Sequence, residues 1–312
     1  MRPHPTCPLR TVLAAAALAA LATTLAPSAV PAQTRIAPEE DLDFDRPESW
    51  AMKYFGSLVV MTGLGGPPEL EPGGFELALE GGWVPSLSEE ERTVGFLGQK
   101  EEDINRTSVF GRLRLTAGLP GRFTLTAGYV PPLEVEGIRP HLLALGLGRP
   151  LFEGRSFRLD GRLTAQQGTF EGDITCSESA VRAGDDPDLN PFNCLEPSDD
   201  EMELRTVGLE LAGSWRLRRA PRISPYLALA GHWFDNEFQV DARYGTIIDR
   251  TLLLSDGTTW SATAGAGYDV GPRTRVAGEL FYSPLDVVRD PGEGSENDAL
   301  FNARVLVGFK LR

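Results

Sequence analysis

Apolar and polar residues alternate with a period of two along most of this chain, starting after Gly74. In the first such stretch, Leu77 and Leu79 share one face while Glu76 and Glu80 occupy the other. Successive side chains of a strand point to opposite faces, so the alternation predicts strands with one apolar and one polar face. The pattern recurs in ten segments, at 75–83, 109–119, 123–130, 138–148, 157–166, 206–217, 223–233, 260–270, 275–282 and 301–311.

The lengths of these segments and of the connections between them favour a membrane barrel over a soluble sandwich. A tilted strand needs about 9 to 11 residues to cross a bilayer, whereas soluble strands have about 5 to 6. Short connections, such as Pro120-Gly121 and Gly271-Pro272, alternate along the chain with long ones, such as 169–201 and 235–258. The connection at 131–137 is an exception, because the alternation predicts a long loop at this position and the connection has few residues. Aromatic residues near strand ends are typical of membrane interfaces.

The segment at 48–64 precedes the first alternating stretch and has a different period. Its large apolar residues, including Trp50, Tyr54 and Leu58, follow a 3.6-residue spacing. We predict an amphipathic helix or plug segment here, with Ser49 near the N-cap. The alternative is a first strand over residues 57–63. An even number of strands keeps both chain termini on the same side of the membrane. Ten strands satisfy this without a strand at 57–63 and so favour the helix, and a barrel of twelve strands is the fallback.

Taken together, the alternating amphipathic strands, the aromatic strand ends and the final strand VLVGFKLR resemble bacterial outer-membrane β-barrel proteins. The likeness covers residues 74–312 and is architectural, since it includes no catalytic motif. It implies an all-β fold, an antiparallel transmembrane barrel of about ten strands. It also implies outer-membrane lipid, lipopolysaccharide and the barrel-insertion machinery as partners. Such proteins usually end on an aromatic residue, whereas this chain places Phe309 three residues before its end.

The first 32 residues predict a secretory signal peptide. Arg2 and Arg10 give a positive start, an apolar stretch follows, and Val30-Pro31-Ala32 suits cleavage before Gln33. Residues 33–47 are acidic and predict a disordered periplasmic lead-in. The expected location is therefore the cell outer membrane.

Net charge and cysteine content restrict the partners further. Removing the two signal arginines takes the net charge from −14 to −16, which argues against nucleic acid as a partner. Cys176 and Cys194 form an even pair in an exported chain, so we expect one disulfide, closing an external loop at 169–201. That loop is strongly acidic and carries Asp185, Asp186 and Asp188, but it lacks the spacing of a known calcium loop. We therefore expect a solvated loop without a metal, and no cofactor.

The polar faces of the strands supply the candidate functional residues. The expected lumen lining is Glu76, Glu80, Arg112, Arg114, Arg158, Asp160, Arg162, Glu210, Arg216, Arg275, Glu279 and Arg304. These charges are compatible with a pore lining, in which arginines would favour anionic solutes, and equally with a salt-bridged interior. Ten strands lie near the narrow end of barrel sizes, which favours a plugged or narrow interior.

Three functions remain open on the sequence alone. The first is a narrow channel or transporter for small solutes. The second is a structural or surface-interaction barrel that presents the acidic loop. The third is a lipid-modifying enzyme, for which His232 is the candidate, near Asp235 and within possible reach of Ser224 or Ser261. A single inward histidine is more often structural, so we expect no enzyme.

Overall fold

The structure is a computed structural model, and it describes residues 38–66, 70–244, 247–290, 292 and 294–311. The expected signal peptide at 1–32 and the start of the acidic lead-in lie outside the described residues. No helix in these ranges is both long enough and apolar enough to cross a membrane.

Ten long antiparallel strands form a closed barrel, in which each strand pairs with its neighbours in the sequence. They are β1 (Phe75–Trp83), β2 (Val109–Gly118), β3 (Thr124–Val130), β4 (Ile138–Glu153), β5 (Phe157–Gly172), β6 (Asp200–Trp215), β7 (Ile223–Gln239), β8 (Leu252–Asp269), β9 (Thr274–Ser283) and β10 (Leu300–Lys310). Pairing of β10 with β1, where Val307 lies opposite Leu79, closes the ring. This confirms the predicted all-β barrel of ten strands.

The side chains of the strands divide as the alternation predicts. Leu79, Leu209 and Leu229 are about 60% exposed and belong to an apolar outer belt. Glu80 and Arg112, on the opposite face, are almost fully buried inside the barrel. A membrane barrel needs this arrangement, because its outer surface contacts lipid and its inner surface does not.

The two ends of the barrel differ in their connections. Connections at the short-turn end, such as 119–123 and 270–273, have a few residues. Those at the long-loop end run over 84–108, 173–199, 240–251 and 284–299. In membrane barrels the longer loops face outward, so we call this the outer end.

Several strands extend further toward the outer end than the alternation predicts. β7 continues to Gln239 and β8 begins at Leu252, although 235–258 is expected to be one loop. The extension was missed because its outward residues are charged: Arg205 on β6 pairs with Asp235 and Glu237 on β7. Such charges suit strands that stand above the bilayer, and they hide the alternation.

The segment before the barrel forms helix α1 (Pro47–Val59), followed by residues 60–66, which contain no strand and end in a turn at 63–66. The expected N-cap at Ser49 is wrong, because the cap residue is Arg46 and Pro47 starts the helix. Proline suits the first helical position, since its missing N–H would have no partner within the helix.

The acidic lead-in is not disordered where the structure describes it. Residues Glu39–Asp41 pair in parallel with Leu252–Leu254 of β8, at the outer end. The pairing lies at the end opposite the short turns, which we call the outer end, whereas the lead-in was expected on the periplasmic side.

The outer loops carry small elements of their own. They are short helices at Glu89–Arg92, Gly95–Gly98 and Glu178–Ala183, and strand pairs Thr93–Val94 with Lys100–Glu101, Ala242–Tyr244 with Ile247–Asp249, and Asp286–Val287 with Glu296–Asn297; a 3-10 turn at Pro120–Arg122 lies at the short-turn end. A disulfide joins Cys176 and Cys194, whose Cα atoms are 5.7 Å apart, as expected.

Candidate functional site: a plugged lumen below an apolar outer pocket

Helix α1 lies in the outer mouth of the barrel and is held there by the loops. Lys53 Nζ donates to the carbonyl of Asp286 at 2.7 Å, and Tyr54 OH donates to that of Pro85 at 3.2 Å. Trp50 Nε1 donates to the carbonyl of Asp298 at 3.3 Å. Twelve of the thirteen helix residues are buried, so the helix is an internal element.

Residues 60–66, which we call the plug segment, run from the end of α1 down through the lumen. Its backbone N–H groups bind barrel side chains: Gly63 N donates to Glu210 at 2.9 Å, and Gly65 N donates to the Tyr226 hydroxyl at 3.0 Å. The Thr62 hydroxyl donates to Glu279 at 2.5 Å. Gly65 has φ +80°, a conformation that favours glycine.

Arginines of the barrel wall bind the carbonyl oxygens of the same chain segment. Arg304 donates to Ser57 and Leu58 at 3.2 Å and to Val60 at 2.7 Å. Further donors are Arg112 to Val59, Arg114 to Thr62 and Arg275 to Leu64 and Gly66. The final carbonyls of a helix have no partner within it, so arginines at this position stabilise the end of α1.

Buried carboxylates balance these arginines. Glu80 is fully buried and lies 2.6 Å from Arg114 and 3.4 Å from Arg112. Glu279 accepts a hydrogen bond from the Tyr226 hydroxyl at 2.6 Å and lies 3.8 Å from Arg304. The charges of the interior are thus used to hold the plug segment and each other.

The twelve residues expected to line the lumen occupy three environments. Nine are buried: Glu76, Glu80, Arg112, Arg114, Asp160, Glu210, Arg275, Glu279 and Arg304. Arg158 and Arg162 are half-buried near the short-turn end, where Arg158 pairs with Asp160 at 2.8 Å. Arg216 differs, because it lies exposed just beyond the end of β6, 3.7 Å from Glu153.

A cavity of about 490 Å³ lies above the plug segment, at the outer end, and we call it the outer pocket. Its walls come from α1, from the outer loops at 84–108, 173–199 and 240–251, and from the outer ends of β6, β7 and β8. Most of the lining is apolar: Ala51, Met52, Phe55, Val94, Ile104, Ile174, Met202, Phe238, Val240 and Leu253. Protein pockets for small ligands commonly have volumes of about 300 to 1,000 Å³ and a mostly apolar lining.

A few polar groups also line the outer pocket. Glu48 accepts hydrogen bonds from Arg46 and from the backbone N–H of Leu97 at 2.7 Å. Lys100 Nζ donates to Glu102 and to the Thr175 carbonyl, both at 2.5 Å. Burial raises the pKa of Glu102 to about 8, although Lys100 opposes that shift.

The loop over the outer pocket has an unusual backbone. Phe96 and Leu97 are consecutive residues with φ of 49° and 62°, a region that residues with side chains rarely occupy. The Phe96 ring stacks on Phe192 of the disulfide loop, with centroids 5.2 Å apart. Strained backbone of this kind often occurs where a ligand binds.

The outer pocket was not predicted from the sequence. A signal was present, since Ile174, Phe238, Val240 and Leu253 are apolar residues within stretches expected to be polar loops. Isolated apolar residues in a loop do not indicate whether they converge.

The candidate catalytic residues do not form a triad. His232 Nε2 lies 2.8 Å from Ser261 Oγ, and both residues are buried on the inner face. His232 Nδ1 has no hydrogen-bond partner among the described residues. Asp235 lies on the opposite face of β7, where it pairs with Arg205. The expected proximity of Asp235 is thus wrong, because an odd residue separation reverses the face of a strand.

The acidic loop shows local hydrogen bonding. Asp186 accepts from the backbone N–H of Asp188, and Asn190 binds the backbone of Cys194. Within the described ranges no group of three His, Cys, Asp or Glu residues is placed to hold a metal ion.

No protein-family model and no curated protein matches this chain. Several solved structures are similar to this chain, of which three are described here. The outer membrane protease OmpT from Escherichia coli has a TM-score of 0.39 at 11% identity, covering 76% of this chain and 92% of that chain. An outer-membrane channel from Pseudomonas putida F1 has a TM-score of 0.37 at 13% identity, covering 78% of this chain and 99% of that chain.

The third is the Pseudomonas putida toluene transporter TodX, with a TM-score of 0.32 at 12% identity, covering 86% of this chain and 70% of that chain. At these identities and scores, none of the three indicates an activity for this chain. The chain itself forms a closed ten-stranded barrel with an apolar outer belt, as outer-membrane β-barrel proteins do.

Proposed function

We propose that this protein is an outer-membrane transporter that binds a small apolar molecule in the outer pocket. The observation that carries the proposal is the apolar pocket of about 490 Å³, placed directly above a lumen that the plug segment fills. A passive pore for ions or polar solutes needs a continuous aqueous path, and the plug segment occupies it. Transfer of an apolar molecule from water to such a pocket is favourable by about 25 cal/mol per Å² of apolar surface that is buried.

The chemistry of the pocket narrows the ligand class. Met52, Phe55 and Phe238 offer a flexible thioether and two aromatic rings, which suit an aromatic or branched aliphatic ligand. The nearby charges of Arg46 and Glu48 bind each other and the backbone. A strongly ionic ligand would have to displace these pairs, so a neutral ligand fits better.

A polar substitution in the outer pocket tests the proposal. Phe238→Asp should weaken binding of the apolar fluorophore N-phenyl-1-naphthylamine by about 100-fold, because a carboxylate replaces a half-buried ring. It should also slow entry of the probe into intact cells that express the protein. Leu195→Asp, on the exposed disulfide loop, is the matched control and should keep wild-type values.

Binding is measured by probe fluorescence on purified protein in an amphipathic polymer. The fluorescence that remains with the Phe238→Asp protein gives the background from probe that partitions into the polymer. Equal probe binding and entry for wild type and Phe238→Asp would contradict the proposal. In that case the structural or surface-interaction barrel becomes the better account.

We also propose that the protein is not a lipid-modifying enzyme. The partner that would orient His232 from Nδ1 is missing among the described residues, and Asp235 faces the other way. His232→Ala should therefore leave phospholipid hydrolysis at the background of empty vesicles, as in wild type. Lipid hydrolysis by wild type that His232→Ala removes would establish the enzyme instead.

A further inference from the structure

The barrel wall is incomplete at one place near the outer end. β3 has only seven residues, and it pairs with β2 from Leu113 to Gly118 and with β4 from Leu142 to Gly148. β2 continues outward to Val109, and β4 begins at Ile138. The outer parts of β2 and β4 therefore lie beside each other without a strand between them. Since strands are about 5 Å apart, the missing strand leaves roughly 10 Å.

The connection that follows β3 does not complete the sheet. Its main-chain hydrogen bonds within the described residues are local, from Leu133 N to the Pro131 carbonyl and between Val135 and Ile138. Pro131, just after β3, and Pro140, on β4, have no N–H to donate. Proline in a strand is found mainly at edges, which is the position that Pro140 occupies here.

A second cavity, of about 390 Å³, fills this opening, and we call it the wall cavity. Phe55, Leu58 and Val59 of α1 line it from inside the barrel. Exposed outward-facing residues also line it, among them Val109 at 65% exposure and Leu113 at 48%. The wall cavity therefore contacts α1 on its inner side and outward-facing residues of the barrel on its outer side.

The wall cavity adjoins the outer pocket. Phe55 and Ile104 line both cavities, so the two are separated by these side chains. Phe55 is half-buried, and its ring packs against that of Phe170 with centroids 5.8 Å apart. Nearly all of the combined lining at this junction is apolar.

The opening lies at the level of the membrane interface. Trp83, opposite Val109 on the neighbouring strand, is 51% exposed, and Tyr129 at the end of β3 is 38% exposed. Exposed aromatic residues at this position in a barrel are typical of the interface between lipid and water. The wall cavity therefore faces the outer edge of the hydrocarbon layer.

We propose that an apolar ligand leaves the outer pocket past Phe55 and Ile104, and enters the membrane through the wall cavity between β2 and β4. This inference rests on the proposed function and specifies its exit. It accounts for transport by a barrel whose lumen stays plugged. No bond is formed or broken, and the ligand moves from one apolar environment to another.

Filling the opening tests the inference separately from binding. The double variant Val135→Trp with Ile138→Trp adds two large rings to the wall cavity and leaves the outer pocket untouched. We expect binding of N-phenyl-1-naphthylamine to stay within about twofold of wild type, and its entry into cells to slow by about tenfold. The control, Leu209→Trp with Leu229→Trp, adds the same rings on the outer belt far from the opening and should enter at the wild-type rate.

The outcomes separate the two proposals. Retained binding also shows that the filled variant is folded. Retained binding with an unchanged entry rate would overturn the lateral exit, while the outer pocket would stand. Absence of probe binding by the wild type would overturn the proposed function and the exit with it.

Discussion

Arg304→Met is expected to release the plug segment and to turn a non-conducting barrel into a conducting one. The guanidinium donates to three carbonyls at the junction of α1 and the plug segment, and it lies 3.8 Å from Glu279. Methionine fills similar space without donors. Removing one partner of a buried charge pair costs about 3 to 5 kcal/mol, so the docked state of the plug should no longer dominate.

Planar-bilayer recording checks this result. Wild type should give no steady channels, whereas Arg304→Met and a deletion of residues 48–66 should each give discrete openings. Arg205→Met is the control, because Arg205 is exposed on the outer face above the belt, and it should behave as wild type. Steady ion conductance by wild type, or a folded Arg304→Met that stays closed, would contradict the plugged lumen. Faster migration of unheated protein on a denaturing gel reports that each variant is folded.

Glu80→Ala is expected to cause a large loss of stability. Glu80 is fully buried and is the counter-charge of Arg114 at 2.6 Å and Arg112 at 3.4 Å. Without it, these guanidinium groups remain in the interior with one carboxylate fewer. We expect the free energy of unfolding to fall by about 3 to 5 kcal/mol.

Urea unfolding in phospholipid vesicles, followed by tryptophan fluorescence, measures this change. Glu80→Gln should lose less, because an amide oxygen still accepts hydrogen bonds. Glu171→Ala is the control, since Glu171 pairs with Arg139 at the exposed end of β5, and exposed pairs contribute about 0 to 1 kcal/mol. A loss below about 1 kcal/mol for Glu80→Ala would show that the interior charges are hydrated and screened.

The barrel itself could be predicted from the sequence because its signal is local. Alternation such as that of Glu76, Leu77 and Leu79 indicates which face each side chain occupies. The need for an even number of strands then indicates that the chain before Phe75 is not a strand of the barrel. The alternation failed where outward residues stand above the lipid, as at Arg205 and Asp235. There the outer face is charged, so polarity no longer distinguishes the two faces of the strand.

The contacts made by the inner-face charges could not be predicted in the same way. Arg112 and Arg304 were expected on the inner face, yet nothing local indicates that they bind carbonyls of a segment 50 to 250 residues away in the sequence. The plug segment contains Gly63, Gly65 and Gly66, and has no period that would assign it a face. The outer pocket depends on three strand ends, α1 and three outer loops meeting in space. That is tertiary information, which periodicity does not contain.

Anomalous scattering from crystals soaked in 1-bromonaphthalene would locate an apolar ligand in this protein, because bromine marks the ligand position without a functional assay. We expect a bromine peak in the outer pocket, within van der Waals contact of Met52 or Phe238, and a second, weaker peak beside Phe55 in the wall cavity. Bromine peaks confined to the lipid-facing belt, with the outer pocket empty at saturation, would contradict this expectation.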